Sequence, residues 1–375
     1  MSQATFVVDR TAVRKNIRSI KEHLNPGTKL LAVVKGDCYG LGLGLLDIYE
    51  EEGVDFYGVV MPQEALELRE HGITKPILIF GYVFPEDYEA MVQNDVRIGI
   101  ERYEDAKALS ELAAKLGRDI PIHIRIDSGM GRLGYLPTEE NADEIARIFE
   151  FPGLIPEGIM THFAIADERK KNYTEIQLAR FLKMIEALHV RGVDFEIRHA
   201  GNSGAALMWP DAHLDMVRVG SAIFGIYPSE SMEEDPEIAI EPVSSLKSRL
   251  ASVKRIPADE SIGYGRTFFT DHETLVGVVP VGYVDGAYRT LANHGEVLVH
   301  GRRCPIVGKI CMDQMMVVLD AVPDAAIGDE VVLFGKQGDA EITIDEHARM
   351  TGDTTTPSGI INRMGSRNKI LYVGE

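Results

Sequence analysis

Leu31-Ala-Val-Val-Lys-Gly-Asp-Cys-Tyr-Gly40 decides the fold of this 375-residue chain. Four apolar residues, Leu31 to Val34, read as a short buried strand. Lys35 follows at the strand's carboxyl end, and Gly36, Gly40, Gly42 and Gly44 open a permissive turn into the apolar segment Leu45-Leu46-Asp47-Ile48. A lysine placed there either snorkels to solvent or is desolvated. Desolvation lowers its pKa and leaves a free amine, the form a nucleophilic or Schiff-base lysine needs.

Working outward, short apolar runs recur through the first 220 residues: Leu30–Val34, Phe56–Val60, Ile77–Phe80, Val96–Ile100, Ile120–Ile126, Leu154–Met160, Phe195–Ile197 and Met216–Val219. Stretches of helical spacing separate most of them, as in Glu64–Glu70, Asp105–Lys115, Asp143–Glu150 and Ile176–Leu188, with Gly72, Gly117 and Gly192 as stops. Eight strands alternating with helices predict an α/β fold, a (β/α)8 barrel of the TIM type. A doubly wound open sheet is the alternative, but no Gly-x-Gly-x-x-Gly follows the first strand. After Pro228 the pattern changes. The acidic run Ser229–Glu237 reads as a solvated connection. Beyond it Val276–Val281, Glu296–His300, Met315–Leu319 and Glu330–Phe334 predict a carboxyl-terminal all-β domain. The division is therefore residues 1–235 for the barrel and 236–375 for the β-domain, which the strand-like Thr5-Phe-Val-Val-Asp9 is also able to join.

Composition narrows the function. The apolar fraction of 45% is ample for a core, and a formal charge of -19 argues against nucleic acid as a partner. No signal peptide and no run of about 18 apolar residues is visible, so a cytoplasmic protein without a membrane span is expected. Cys38, Cys304 and Cys311 show no Cys-x-x-Cys pairing, which fits a reducing compartment and no metal site.

In such a barrel the site lies at the carboxyl ends of the strands. Lys35 stands at the first, Asp127-Ser-Gly-Met-Gly-Arg132 at the fifth, Thr161-His-Phe163 at the sixth, His199-Ala-Gly-Asn-Ser203 at the seventh and Arg218-Val-Gly-Ser221 at the eighth. Gly201-Asn-Ser-Gly204 and Gly220-Ser221 occupy positions where barrels hold a phosphate with backbone N–H groups. A lysine on one strand and a phosphate cradle after the seventh and eighth suggest pyridoxal 5'-phosphate (PLP).

These motifs, with Gly263-Tyr-Gly-Arg-Thr-Phe268, Gly282-Tyr-Val-Asp-Gly286 and Cys311-Met-Asp-Gln314, make the chain resemble the alanine racemase family nearly end to end. The resemblance implies an isomerase that takes a small amino acid through a two-base mechanism on PLP. It implies a homodimer with shared sites, and D-alanine production for the cell wall. Lys35 would be the Schiff-base lysine and one base, and Tyr264 of the partner subunit the other. Tyr39, Ser203, Gly220 and Ser221 would hold the phosphate, Asn202 would also bind the cofactor, Arg218 would face the pyridine nitrogen, and His162 would stand behind it. Arg132 and Met312 would meet the substrate carboxylate, with Tyr283 at the entrance.

Two departures stand out. Arg125 occupies the position of a lysine that family members carry as a carbamate, and it needs a counter-charge, with Asp127 one source. Asn362 replaces a tyrosine near the phosphate and substrate side chain, which points toward serine or a broader specificity. A PLP-binding regulatory protein would lack the β-domain, and a basic-amino-acid decarboxylase would set an acid where Arg218 stands.

Overall fold

The computed structural model describes residues 3–168, 172–234, 236–352, 356–363 and 368–375. The chain forms two compact units: Arg14–Asp37 with Asp47–Ile240, and Met1–Val13 with Cys38–Leu46 and Glu241–Glu375.

Strand β1 (Thr5–Asp9) belongs to the second unit. The first is built on β2 (Lys29–Val33), β3 (Phe56–Val59), β4 (Ile77–Ile79), β5 (Val96–Ile100), β6 (Ile120–Arg125), β7 (Leu154–Met160), β8 (Ile197–His199) and β9 (Met216–Val219). All pair in parallel, in the order β8-β7-β6-β5-β4-β3-β2-β9. Asp215 N–H donates to Arg198 O at 3.1 Å and Arg218 N–H to Gly201 O at 2.9 Å, which closes the ring between β9 and β8. Seven of the eight runs read from the sequence fall on these strands, while Phe195–Ile197 meets β8 only at Ile197, because the strand continues into Arg198 and His199. Burial on both faces makes β2, β3, β4 and β5 near-continuous apolar runs, whereas β8 is Ile-Arg-His with Arg198 exposed. Helices Pro62–Glu70, Tyr103–Leu116, Glu139–Ile148 and Tyr173–Val190 lie between strands, and Gly72, Gly117 and Gly192 follow helices at φ of 84°, 63° and 81°. No described helix is long and apolar enough to cross a membrane.

The second unit has β10 (Ser244–Arg249), β11 (Ser252–Ile256), β12 (Ser261–Ile262), β13 (Phe268–Phe269), β14 (Thr274–Val279), β15 (Glu296–Val299), β16 (Arg302–Val307), β17 (Met315–Val318), β18 (Glu330–Gln337), β19 (Ala340–Ile342) and β20 (Lys369–Val373). Its main sheet runs β11-β14-β17-β16-β15-β18-β10-β1-β20. The chain's two ends meet there, because β1 pairs in parallel with β20 and antiparallel with β10. The segment Cys38–Leu46 also belongs to this unit, and Tyr372 Oη donates to Leu41 O at 2.9 Å.

The acidic run after Pro228 differs from expectation. Glu230–Glu234 is a short helix, not a bare solvated connection. Met232 is buried and anchors it, and Ser229 O accepts the N–H groups of Met232 and Glu233. Asp235 lies outside the described residues.

Two glycines set what the barrel interior can hold. In the register of β5, β6 and β7, Gly99 and Gly158 flank His123. A Cβ on Gly158 would stand 2.3 Å from the His123 ring, and one on Gly99 would stand 2.3 Å from Arg125 Nε. Neither glycine has a left-handed backbone, so room for a neighbour's side chain is what each position requires. Because the Arg125 guanidinium is pinned at its far end, it cannot yield freely. Gly99→Ala should therefore destabilise the fold by about 1–3 kcal/mol, the usual cost of overpacking. Urea denaturation checks this, and an unchanged midpoint would contradict it.

Candidate active site

Lys35 sits directly after β2, where Val34 N–H donates to Gly58 O at 2.9 Å. The residues that follow coil left-handed: Gly36, Asp37, Cys38 and Tyr39 have φ of 61°, 55°, 52° and 57°. For the three that are not glycine this costs about 1–2 kcal/mol each. Burial of Cys38 and a hydrogen bond from Gly36 N–H to Glu64 Oε1 at 2.6 Å oppose that cost. The other oxygen of Glu64 accepts from Val60 and Met61 N–H at 2.8 and 3.0 Å, so one carboxylate fixes the turns after β2 and β3. Nothing in the residue order marks Glu64 beyond its place in a helix. Burial lowers the Lys35 pKa, the Arg132 charge lowers it further, and Glu64 acts in the opposite sense. Burial pushes the Tyr39 hydroxyl up to about 12, so it stays a neutral donor.

Arg132 stands on a loop shaped by Asp127. Asp127 Oδ1 accepts from Gly129 and Gly131 N–H, both at 3.0 Å, and Oδ2 from Arg132 N–H at 2.8 Å. These backbone donors hold the carboxyl below its ordinary range against the effect of burial. Arg132 itself is exposed. Asp127 is thus committed to its own loop, and the counter-charge of Arg125 comes instead from Glu101, at 3.5 Å. Arg125 faces inward, 2% exposed, and its Nη2 donates to Ile79 O at 2.9 Å and Gly81 O at 2.6 Å. It ties the end of β4 to β6.

Arg218 is the buried cation of the site. Its Nη1 donates to His199 O at 3.0 Å and contacts His199 Nδ1 at 3.2 Å. Its Nη2 donates to Thr161 O at 2.7 Å and Ala200 O at 2.9 Å and contacts His162 Nδ1 at 3.3 Å. These contacts use the four terminal N–H groups of a guanidinium that has five donors in all. Among the described residues the remaining Nε–H has no protein acceptor. Burial and the neighbouring Arg132 lower the Arg218 pKa to about 9, which still leaves it charged at neutral pH. Burial, with Arg218 the next cause, holds His162 down to about 3, so this ring is neutral. Gln177 fixes the His162 loop, donating to His162 O at 3.1 Å and accepting from Ala164 N–H at 2.9 Å.

The loops after β8 and β9 are joined by Ser203, whose Oγ accepts from Gly220 N–H at 3.1 Å. Its hydroxyl proton is left to donate outward. Asn202 caps the helix Ser203–Met208 by accepting from Ala205 N–H at 3.1 Å. The N–H groups of Ser203 and Gly204, in the first turn, have no partner within that helix. Ser221 lies next to Gly220 at the end of β9.

The remaining candidates belong to the second unit. Tyr264 is 70% exposed and bridges to Lys309. Tyr283 and Met312 are brought together: Tyr283 N–H donates to Cys311 O and Val284 N–H to Met312 O, both at 3.1 Å. A Cβ on Gly282 would meet Met312 O at 2.1 Å, so only glycine permits that approach. Asn362 is exposed and donates to Ser358 O at 2.9 Å. Its Cα would lie 3.2 Å from a Cβ on Gly40, so the turn that follows Tyr39 packs against it.

The donor set suits PLP. Lys35 offers an amine with a lowered pKa. Ser203 offers a hydroxyl proton beside helix-start N–H groups, as an anion needs. Arg218 offers one N–H from a group that keeps its charge, which suits an unprotonated ring nitrogen and not a protonated one.

The buried histidines make a stability prediction. Burial lowers the pKa of His123, His162 and His199 in the folded chain. The unfolded chain takes up protons below about pH 6.5 that the folded one refuses. Folding stability should be full above that pH and fall below it, by up to about 1.4 kcal/mol per pH unit for each such histidine. Chemical denaturation at pH 7 and pH 5 reads this directly, and equal stability at the two would contradict it.

Comparison with known proteins gives the family. The family described as "Alanine racemase, N-terminal domain" matches residues 8–228, and "Alanine racemase, C-terminal domain" matches residues 243–372. The alanine racemase of Methanococcus maripaludis is 41% identical over 346 residues, 92% of each chain. The structure of alanine racemase from Clostridium difficile 630 is similar at a TM-score of 0.93 and 35% identity, over 99% of this chain and 96% of that one. A histidine racemase from Leuconostoc mesenteroides subsp. sake is similar at a TM-score of 0.88 and 26% identity, over 100% and 98%. With both halves matched and its relatives covered almost whole, the chain belongs to the alanine racemase family of PLP-dependent isomerases.

Proposed function

We propose that this chain racemises alanine as a homodimer, with Lys35 and Tyr264 of the partner subunit as the two proton-transfer groups. The observation that carries the reading is Arg218, a buried cation with four N–H groups committed to protein and one left over. Bound PLP supplies an electron-withdrawing ring that acidifies the substrate Cα proton. A donor that stays charged at neutral pH would keep the ring nitrogen unprotonated and the electron sink weak, which favours prompt reprotonation over side reactions. A decarboxylase would use an acid at this place, and the buried acceptors around Arg218 leave no room for that exchange.

The chain's own groups divide the work. Inverting a carbon requires a proton taken from one face and another delivered to the opposite face, so two groups are needed. Lys35, with its lowered pKa, suits one of them. Tyr264 is largely exposed in its own unit, and so are Met312 and, to a lesser degree, Tyr283. That exposure supports a site completed by a second copy. Arg132 binds the substrate carboxylate, and Met312 of the partner subunit joins it. Ser203, Tyr39, Gly220 and Ser221 bind the phosphate, and Asn202 holds the start of the helix beside it. Arg125 is engaged with Ile79, Gly81 and Glu101 and takes up no carbamate, so activity should be indifferent to bicarbonate.

Asn362 favours a second substrate. A short amide where relatives carry a phenol leaves space and a hydrogen-bond partner for a hydroxymethyl group. A made hydrogen bond discriminates far more strongly than added space. Serine turnover relative to alanine should therefore fall in Asn362→Tyr.

The shared site has a direct test. Lys35→Ala and Tyr264→Ala proteins should each be inactive toward alanine. After mixing and reassociation, half of the dimers are mixed and half of their sites intact, so about a quarter of wild-type activity should return. No recovery despite measured subunit exchange would overturn shared sites. Reduction of the holoprotein with borohydride should fix a pyridoxyl label on Lys35, and a label on another lysine would overturn its role.

A further inference from the structure

Inside the barrel, Arg218 is one end of a continuous polar chain. His199 Nδ1 lies 3.2 Å from Arg218 Nη1, and His199 Nε2 lies 2.9 Å from His123 Nδ1. His123 Nε2 lies 3.0 Å from Glu157 Oε2. Glu157 ends the chain in a two-pronged pair with Arg97, whose Nη2 donates to Oε1 at 3.0 Å and whose Nε donates to Oε2 at 3.1 Å. The two imidazoles are fully buried and meet edge to face at 82°. The chain spans β9, β8, β6, β7 and β5 in turn, and Gly158 leaves the room that His123 needs.

Each link has only one consistent direction. Glu157 is held down to about 2 by His123 and Arg97 against the effect of burial, so it is ionised and only accepts. His123 must then carry its proton on Nε2 and offer a bare Nδ1. His199 must donate from Nε2 into that Nδ1, which leaves its own Nδ1 bare to accept from Arg218. Burial keeps both rings neutral, which the scheme requires. Reversing any link would set N–H against N–H at Arg218, because a guanidinium can only donate.

We infer that Glu157 and His123 are positioning residues for the reaction: the carboxylate at the far end of the chain fixes one tautomer in both buried histidines, and so aims the Arg218 donor at the cofactor ring. This rests on the proposed placement of Arg218 against the pyridine nitrogen. Neither Glu157 nor His123 touches the cofactor or substrate in this account. They act through His199, as a buried acceptor fixes a catalytic imidazole elsewhere.

Glu157→Gln reverses the chain while keeping its volume. The amide oxygen goes to the Arg97 fork, which offers only donors, and the amide NH2 then faces His123. The full-length holoprotein, labelled with 15N-histidine, gives the first readout. In the wild type, His123 and His199 should both show a protonated Nε2 and a bare Nδ1. In Glu157→Gln both should shift to a protonated Nδ1, and kcat/KM should fall by about tenfold to a hundredfold, as when an outer residue stops orienting an inner one. Glu157→Asp, which restores an acceptor, should recover the wild-type tautomers and most of the activity. Wild-type histidines protonated on Nδ1, or on both nitrogens, would overturn the inference even if no variant folds. So would unchanged tautomers and unchanged kcat/KM in Glu157→Gln. A wild-type protein with the expected tautomers but no pyridoxyl label on Lys35 would refute the cofactor reading and leave the polar chain intact.

Discussion

The Arg218 guanidinium is buried in the barrel interior, where its charge has to be met by acceptors, and that requirement organises this site. Leaving a charge unpaired there would cost several kcal/mol. Arg218 avoids this by taking carbonyls from Thr161, His199 and Ala200, all at or just beyond the carboxyl ends of neighbouring strands. Those carbonyls are available only if β7, β8 and β9 end at matching heights. The strand ends, the cation and its single leftover donor are therefore parts of one constraint.

The same economy recurs around the barrel mouth. Each loop that carries a site residue is held by one buried or partly buried polar side chain with backbone donors or acceptors. Glu64 holds the turn after Lys35, Asp127 the Arg132 loop, Gln177 the His162 loop, and Ser203 the junction of the last two. Hydrogen bonds of this kind contribute about 1 kcal/mol each to stability. Their larger effect is positional, because a loop with fixed backbone holds its side chain near one geometry. Arg125 belongs to this group. It is a strut that binds the end of β4.

Much of this was legible in the residue order, for a physical reason. Strands buried on both faces leave continuous apolar runs, and a polar residue straight after such a run must lie at the barrel rim. Lys35, two residues past β2, and His162, two residues past β7, stand where that rule puts them, whereas Arg218 lies inside β9 itself and Ser203 four residues past β8. The rule fails where contacts join distant segments. Nothing local marks β1 as the neighbour of β20, or Glu101 as the counter-charge of Arg125 in place of the nearer Asp127. Cys38 and Tyr39 were invisible as left-handed residues, because neither is a type that favours that backbone. The one available hint of the interior chain was His123 and Arg125 alternating with isoleucines in a strand that is otherwise apolar. Its partner Glu157 looked like an ordinary charge on β7.

With a cationic donor behind the ring and two proton-transfer groups, the proposed reaction is inversion at the Cα of alanine. Incubation with L-alanine in deuterium oxide, and separately with D-alanine, followed by chiral separation and proton NMR, tests this. Both solutions should converge on equal amounts of the two enantiomers, since mirror-image molecules have equal free energy, with deuterium replacing the Cα proton. Retained optical purity, or loss of alanine to an amine or a keto acid in place of inversion, would contradict it.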